Sequence, residues 1–165
     1  MITAYIGVGS NVERKKHIKA AIDELRHLGQ GLRLSTIYEC PSVGFDGDRF
    51  YNLVVELQTT ENLTEFSRSL RDIELKWGRC EHAEKFQPRT IDLDILLFGD
   101  EVSAQSPQIP RKDIYHYAFV LKPLAELCPD RVIPGDGRQV QELQQQLNFT
   151  TPLTAVPLWF DDTTQ

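Results

Sequence analysis

The sequence has no apolar run near the roughly 20 residues that a membrane-crossing helix needs, so no membrane span is expected. It has only three cysteines, Cys40, Cys80 and Cys128, spaced too widely for a zinc pattern or a redox pair. An odd, scattered set of thiols suits a reducing compartment, and the expected location is cytoplasmic. The opening Met1-Ile2-Thr3-Ala4-Tyr5 lacks the basic start and long apolar core of a secretory signal and reads as a strand. Positive charge is also short: 18 Lys and Arg against 24 Asp and Glu leave a net charge of -6. That balance excludes a broad nucleic-acid face, so any phosphate must be held by local cations or by metal. No Gly-Lys-Ser/Thr phosphate loop is present. His17, His27, His82 and His116 show no ligand spacing, and no Ser/His/Asp or Cys/His arrangement is readable.

What is present is enough for one domain. A chain of 165 residues can bury a core without disulfides, and residues 1–165 read as a single domain. Residues 2–7 read as a strand, and Gly7-Val8-Gly9-Ser10-Asn11 reads as a turn with Ser10 or Asn11 capping the next helix. Ile18, Ala21, Ile22, Leu25 and Leu28 fit one face of that helix, which Gly29 and Gly31 end. A second strand is expected over 32–40, a loop over 41–48 and a third strand over 50–59. Asn62 and Glu65 form a capping-box pattern ahead of a helix carrying Leu63, Phe66, Leu70, Ile73 and Trp77. A polar connection over 79–89 leads to a strand over 91–98. The order β-α-β-β-α-β predicts an α+β, ferredoxin-like core with helices on one sheet face. The C-terminal extension carries helical patterns over 118–127 and 140–147. Trp159 and Phe160 are candidates to pack the tail onto the domain.

The segment Ile91-Asp92-Leu93-Asp94-Ile95-Leu96-Leu97 carries the clearest chemical signal. Strand side chains alternate, so Asp92 and Asp94 share one face while Ile91, Leu93, Ile95 and Leu97 share the other. Their β-carbons then lie roughly 7 Å apart, close enough to repel unless a cation sits between them. A divalent cation carrying phosphates satisfies that need. The spacing equally suits a half-buried strand whose solvent face is simply acidic, and glycosyltransferases also use an Asp-x-Asp metal motif. Arg79, Lys85 and Arg89 precede the pair, and cations beside a metal site are what polyphosphate transfer requires. Each of them, taken alone, also suits a solvated surface. Phe50 with Asn52, and Phe119, are placed to stack on and hydrogen-bond a planar heterocycle, or else to pack in the core.

The stretch Gly78-Arg79 through Pro88-Arg89-Thr90-Ile91-Asp92-Leu93-Asp94-Ile95-Leu96-Leu97-Phe98-Gly99 resembles the signature of the 6-hydroxymethyl-7,8-dihydropterin pyrophosphokinase family. Tyr5 to Asn11, Phe50-Tyr51-Asn52 and Phe119 to Leu124 are similar to other parts of that family, so the likeness spans about residues 2–135. It implies transfer of pyrophosphate from ATP to 6-hydroxymethyl-7,8-dihydropterin in folate biosynthesis, with AMP released. It implies two Mg2+ ions held by Asp92 and Asp94, with Arg79 and Arg89 neutralising phosphate charge. The pterin would lie between Phe50 and Phe119, with Asn52 at its edge, backbone groups of 40–43 nearby and Phe86 in a lid over 79–89. Glu74, Lys85, Ile95, Arg111 and Lys112 would surround the nucleotide. The expected partners are these two small molecules, with no nucleic acid and no membrane, and the expected state is a monomer. Four positions depart from the family pattern: Glu81 replaces a basic residue, Phe86 a Trp, Arg111 a His and Tyr117 an Arg. Arginine does not substitute neutrally for histidine. The departures also suit an alternative, a weakly active or inactive paralogue that binds pterin or nucleotide.

Overall fold

A computed structural model of the protein describes residues 1–40, 49–78 and 90–161. In chain order the elements are β1 (Ile2–Ser10), α1 (Arg14–Arg26), β2 (Gln30–Leu34), β3 (Ile37–Cys40), β4 (Phe50–Thr59), α2 (Leu63–Lys76), β5 (Asp92–Phe98), α3 (Asp113–His116), α4 (Ala118–Leu127), α5 (Val140–Leu147) and β6 (Thr154–Val156). The strands form one six-stranded sheet in the order β5-β1-β4-β3-β6, with β2 also paired to β4. All of these pairings are antiparallel. The chain is therefore α+β, with an open antiparallel sheet. No helix among the described residues is long and apolar enough to cross a membrane.

Alternation along the central strands separates two cores. Ile6, Val8, Leu53 and Val55 pack with Ile18 and Ile22 of α1 and Phe66 of α2. Tyr5 and Val54 point the opposite way, among Leu121 and Leu124 of α4 and Leu143 of α5. Helices thus cover both sheet faces, where the element order predicted one. The C-terminal extension supplies the second layer, because β1 and β4 are apolar on both faces and need burial on both. Each of these fully buried side chains contributes about 1.5–3 kcal/mol of transfer free energy.

The local signals explain most element ends. Asn62 Oδ1 accepts from the Glu65 N–H at 2.8 Å, and Glu65 Oε1 accepts from the Asn62 N–H at 2.9 Å, so the capping box forms. Gly29 follows α1 where a β-carbon would lie 2.1 Å from the Gln58 carbonyl oxygen, so only glycine permits this approach to β4. The helices expected over 118–127 and 140–147 are α4 and α5.

Four local readings change. Residues 7–10 continue β1, and Glu13, in a left-handed conformation (φ 40°), takes the N-cap position of α1 without a side-chain capping bond. Ser10 instead stays buried, and its hydroxyl oxygen accepts weakly from the Val12 N–H at 3.4 Å. The strand expected over 32–40 breaks at Ser35 and Thr36 into β2 and β3. Ser35 Oγ accepts the Val54 N–H at 2.9 Å, while the Thr36 N–H donates to Glu126 of α4 at 2.8 Å, so side chains complete the interrupted ladder. In β5, Tyr5 pairs with Leu97 but Ile6 pairs with Ile95, leaving Leu96 as an extra residue. This bulge moves Leu97 to the second core, away from Leu93 and Ile95. Finally, the tail adds β6 to the edge of β3. Trp159 packs against Tyr51 with ring centres 5.7 Å apart and donates its indole N–H to the Lys15 carbonyl at 3.1 Å.

Candidate active site

Leu93 and Ile95 enter the first core, so Asp92 and Asp94 project from the opposite face of β5, before the bulge begins. The antiparallel register places Gly9 beside Asp92 and Gly7 beside Asp94. On the far side of β1, Gly9 meets Asn52 and Gly7 meets Val54. The row continues from Asn52 to Tyr38 on β3, and Phe50 pairs with Cys40 one step along. Glycine at 7 and 9 therefore puts no β1 side chain between the carboxylates of β5 and the amide and ring on β4; the Leu96 side chain lies over Gly7, and Asn52 and Phe50 lean over buried Gly9. A β-carbon at Gly9 would stand 2.7 Å from Asn52 Oδ1 and 3.7 Å from the Phe50 ring. The other end of the Asn52 amide donates from Nδ2 to Cys40 Sγ at 2.7 Å. Burial pushes the Cys40 thiol up to about 11, against the pull of the Asn52 hydrogen bond, so it stays neutral at ordinary pH.

Asp94 sits in an electrostatically unfavourable position. Burial, then the charge of Asp92, pushes Asp94 up to about 7; Arg111 opposes the rise, and Asp113 and Glu74 add to it. Arg111 Nη2 lies 3.4 Å from Asp94 Oδ1, and its Nε donates to Asp113 Oδ2 at 3.2 Å. The Arg111 backbone N–H donates to the Leu96 carbonyl at 3.0 Å, which stitches this residue to the open edge of β5. Glu74 covers the same edge from α2. Its Oε2 accepts the Leu93 N–H at 2.8 Å, and its Oε1 lies 3.6 Å from Arg71 Nη1.

The other expected site residues fall in several places. Phe119 lies in α4 and stacks on Tyr117, with ring centres 4.9 Å apart and planes 23° from parallel. Ile95 buries its side chain in the first core and pairs with Ile6 of β1. Lys112 is exposed at the start of α3. Arg79, Glu81, Lys85, Phe86 and Arg89, with the loop over 41–48, lie outside the described residues.

Four further residues shape the site. Gly7 and Gly9 keep β1 free of side chains beside the carboxylates, and their two-residue spacing opposite an Asp-x-Asp strand is the signal in the sequence. Asp113 shares Arg111 with Asp94. Tyr117, one of the four departures from the family pattern, supplies a stacking partner for Phe119.

The site's donor chemistry suits Mg2+. The ion takes hard oxygen ligands and commonly uses one or two carboxylates, with substrate phosphates and waters filling the rest. Asp92 and Asp94 supply that number, and a cation would relieve the repulsion that raises Asp94. Among the described residues no group of three or more His, Cys, Asp or Glu could hold an ion.

Residues 5–129 match the family model described as 7,8-dihydro-6-hydroxymethylpterin-pyrophosphokinase. A 2-amino-4-hydroxy-6-hydroxymethyldihydropteridine pyrophosphokinase of Pseudomonas aeruginosa is 38% identical over 148 residues, covering 84% of this chain and 88% of that protein. The Bacillus subtilis protein of the same name is 38% identical over 130 residues, covering 76% and 77%. Among solved structures, Plasmodium falciparum HPPK-DHPS superposes with a TM-score of 0.68 at 14% identity, a likeness of fold. That alignment covers 88% of this chain, which spans 43% of the longer Plasmodium chain. The chain belongs to the 7,8-dihydro-6-hydroxymethylpterin-pyrophosphokinase family.

Proposed function

We propose that this protein transfers the β,γ-pyrophosphoryl group of ATP to the hydroxymethyl oxygen of 6-hydroxymethyl-7,8-dihydropterin, a step of folate synthesis. The pterin hydroxyl oxygen forms a bond to the β-phosphorus and loses its proton to solvent, and AMP leaves with the former bridging oxygen. The observation that carries this reading is the row Asp92–Gly9–Asn52 across one sheet face, within a chain of this family. It puts a cation grip and a heterocycle-reading amide on either side of Gly9, which adds no side chain between them.

Asp92 and Asp94 would hold two Mg2+ ions, which supply charge neutralisation on the phosphates when bound. The chain's own residues bind and orient. Asn52 presents an amide fixed by Cys40 to the pterin edge, and Phe50 and Phe119 flank the ring. Tyr117 backs Phe119 and keeps its ring from turning. Arg79, Lys85 and Arg89, with Ile95, Arg111 and Lys112, would hold the triphosphate. Glu74 sets the height of β5 through its bond to the Leu93 N–H, and so positions both aspartates. By the family resemblance, Phe86 would belong to a lid that excludes water from the reactive phosphorus. Positioning and charge neutralisation provide most of the rate.

The sheet order with β1 between β4 and β5 favours a ferredoxin-like core carrying a C-terminal second layer. We further assign the chain a single domain over 1–165, a monomeric state and a cytoplasmic location. A second reading, binding without efficient transfer, draws on Arg111 already occupying Asp94. Incubation with ATP, Mg2+ and the pterin separates the two. Pterin-dependent AMP release is expected, and pterin binding without AMP would favour the second.

A further inference from the structure

We infer that Arg111 is the resident counter-ion of the aspartate pair, competing with divalent cations for Asp94 until nucleotide phosphate draws the guanidinium away. This role deepens the proposed cation site and depends on Asp92 and Asp94 being its ligands.

The geometry sets up a competition. Arg111 is anchored to the edge of β5 by its backbone bond to Leu96, two residues beyond Asp94. Its guanidinium is split between two carboxylates, Nη2 at 3.4 Å from Asp94 Oδ1 and Nε at 3.2 Å from Asp113 Oδ2. The three side chains are only 36%, 31% and 32% exposed, so solvent screens them incompletely. A cation approaching Asp94 meets a like charge on one of its ligand oxygens. Asp113 offers the guanidinium a second seat, so Arg111 can release Asp94 without losing every partner. A planar guanidinium also suits a phosphate as well as a carboxylate. An incoming triphosphate can therefore take Arg111 while delivering metal to the vacated carboxylate. The consequence is a site that binds free divalent cation weakly and loads cation and nucleotide together.

The test is a Mn2+ titration of the full-length, nucleotide-free protein at pH 8, with free Mn2+ followed by electron paramagnetic resonance. Arg111→Ala should bind Mn2+ roughly tenfold more tightly than wild type, as loss of a like charge at this range implies. Lys112→Ala removes an equal charge from the exposed neighbour and should change affinity far less. Asp94→Asn combined with Arg111→Ala should lose the gain. With a non-hydrolysable ATP analogue present, the advantage of Arg111→Ala should vanish or reverse. Unchanged or weaker Mn2+ binding by Arg111→Ala would overturn the role, as would an equal effect from Lys112→Ala. Should Arg111→Ala fail to melt cooperatively, Arg111→Gln carries the same expectation. Mn2+ binding is read without turnover, so failure of AMP release would count against the pyrophosphokinase reading alone.

Discussion

Replacing Asp94 with asparagine should stabilise the fold at pH 8 while abolishing turnover. In the folded protein Asp94 is held up to about 7 by burial and by Asp92, even with Arg111 opposing. In the unfolded chain it titrates near 3.9. Between about pH 4 and pH 7 the folded state therefore keeps a proton that the unfolded state has lost. Wild-type stability accordingly falls as pH rises through that window, and the full cost of ionised Asp94 is present above pH 7. A shift of this size sets a ceiling of about 4 kcal/mol, at 1.36 kcal/mol per unit. The side chain is 31% exposed, and solvent screening reduces this to about 1–2 kcal/mol. For a domain of this size that corresponds to roughly 3–6 °C in Tm. Calorimetry of the metal-free proteins at pH 8 and pH 4 reads the effect. Asp94→Asn should melt higher at pH 8 and show little advantage at pH 4. Lower stability at pH 8, or the same increment at both pH values, would refute the electrostatic account.

Other expectations follow from single contacts. Gly9→Ala places a methyl 2.7 Å from Asn52 Oδ1, so it should raise KM for the pterin severalfold while leaving KM for ATP nearly unchanged, read by steady-state kinetics. Glu74→Ala strands the Leu93 N–H at a buried edge and should cost about 1–3 kcal/mol in urea unfolding. Glu74→Gln keeps an acceptor and should cost less.

The sequence made the aspartate strand legible because alternation is a local property. The Asn62/Glu65 capping box and the helices over 118–127 and 140–147 were legible for the same reason. Period-two reading failed where the chain breaks its own period: at the Leu96 bulge and at Ser35-Thr36, where a hydroxyl and Glu126 replace ladder bonds. Gly7 and Gly9 read as a turn because glycine usually marks one. Here they lie inside β1, and only pairing with Asp92, Asp94 and Asn52 gives them meaning. β6 is three residues long and exists through its pairing with β3. The Arg111–Asp94 pair is likewise a tertiary fact, because it needs the chain to return along the edge of β5. Of the expected site, the carboxylates, Asn52 and Phe50 share one sheet face. The five expected or departing positions over 79–89 fall outside the described residues.

The most direct measurement is AMP formation by the purified protein with ATP, Mg2+ and 6-hydroxymethyl-7,8-dihydropterin, compared with Asp94→Ala. The account predicts AMP formed one-for-one with the pterin diphosphate and only when the pterin is present. It also predicts a loss of at least about 10²-fold in Asp94→Ala, with that variant's circular dichroism unchanged. AMP formed without pterin, or near wild-type turnover by Asp94→Ala, would contradict it.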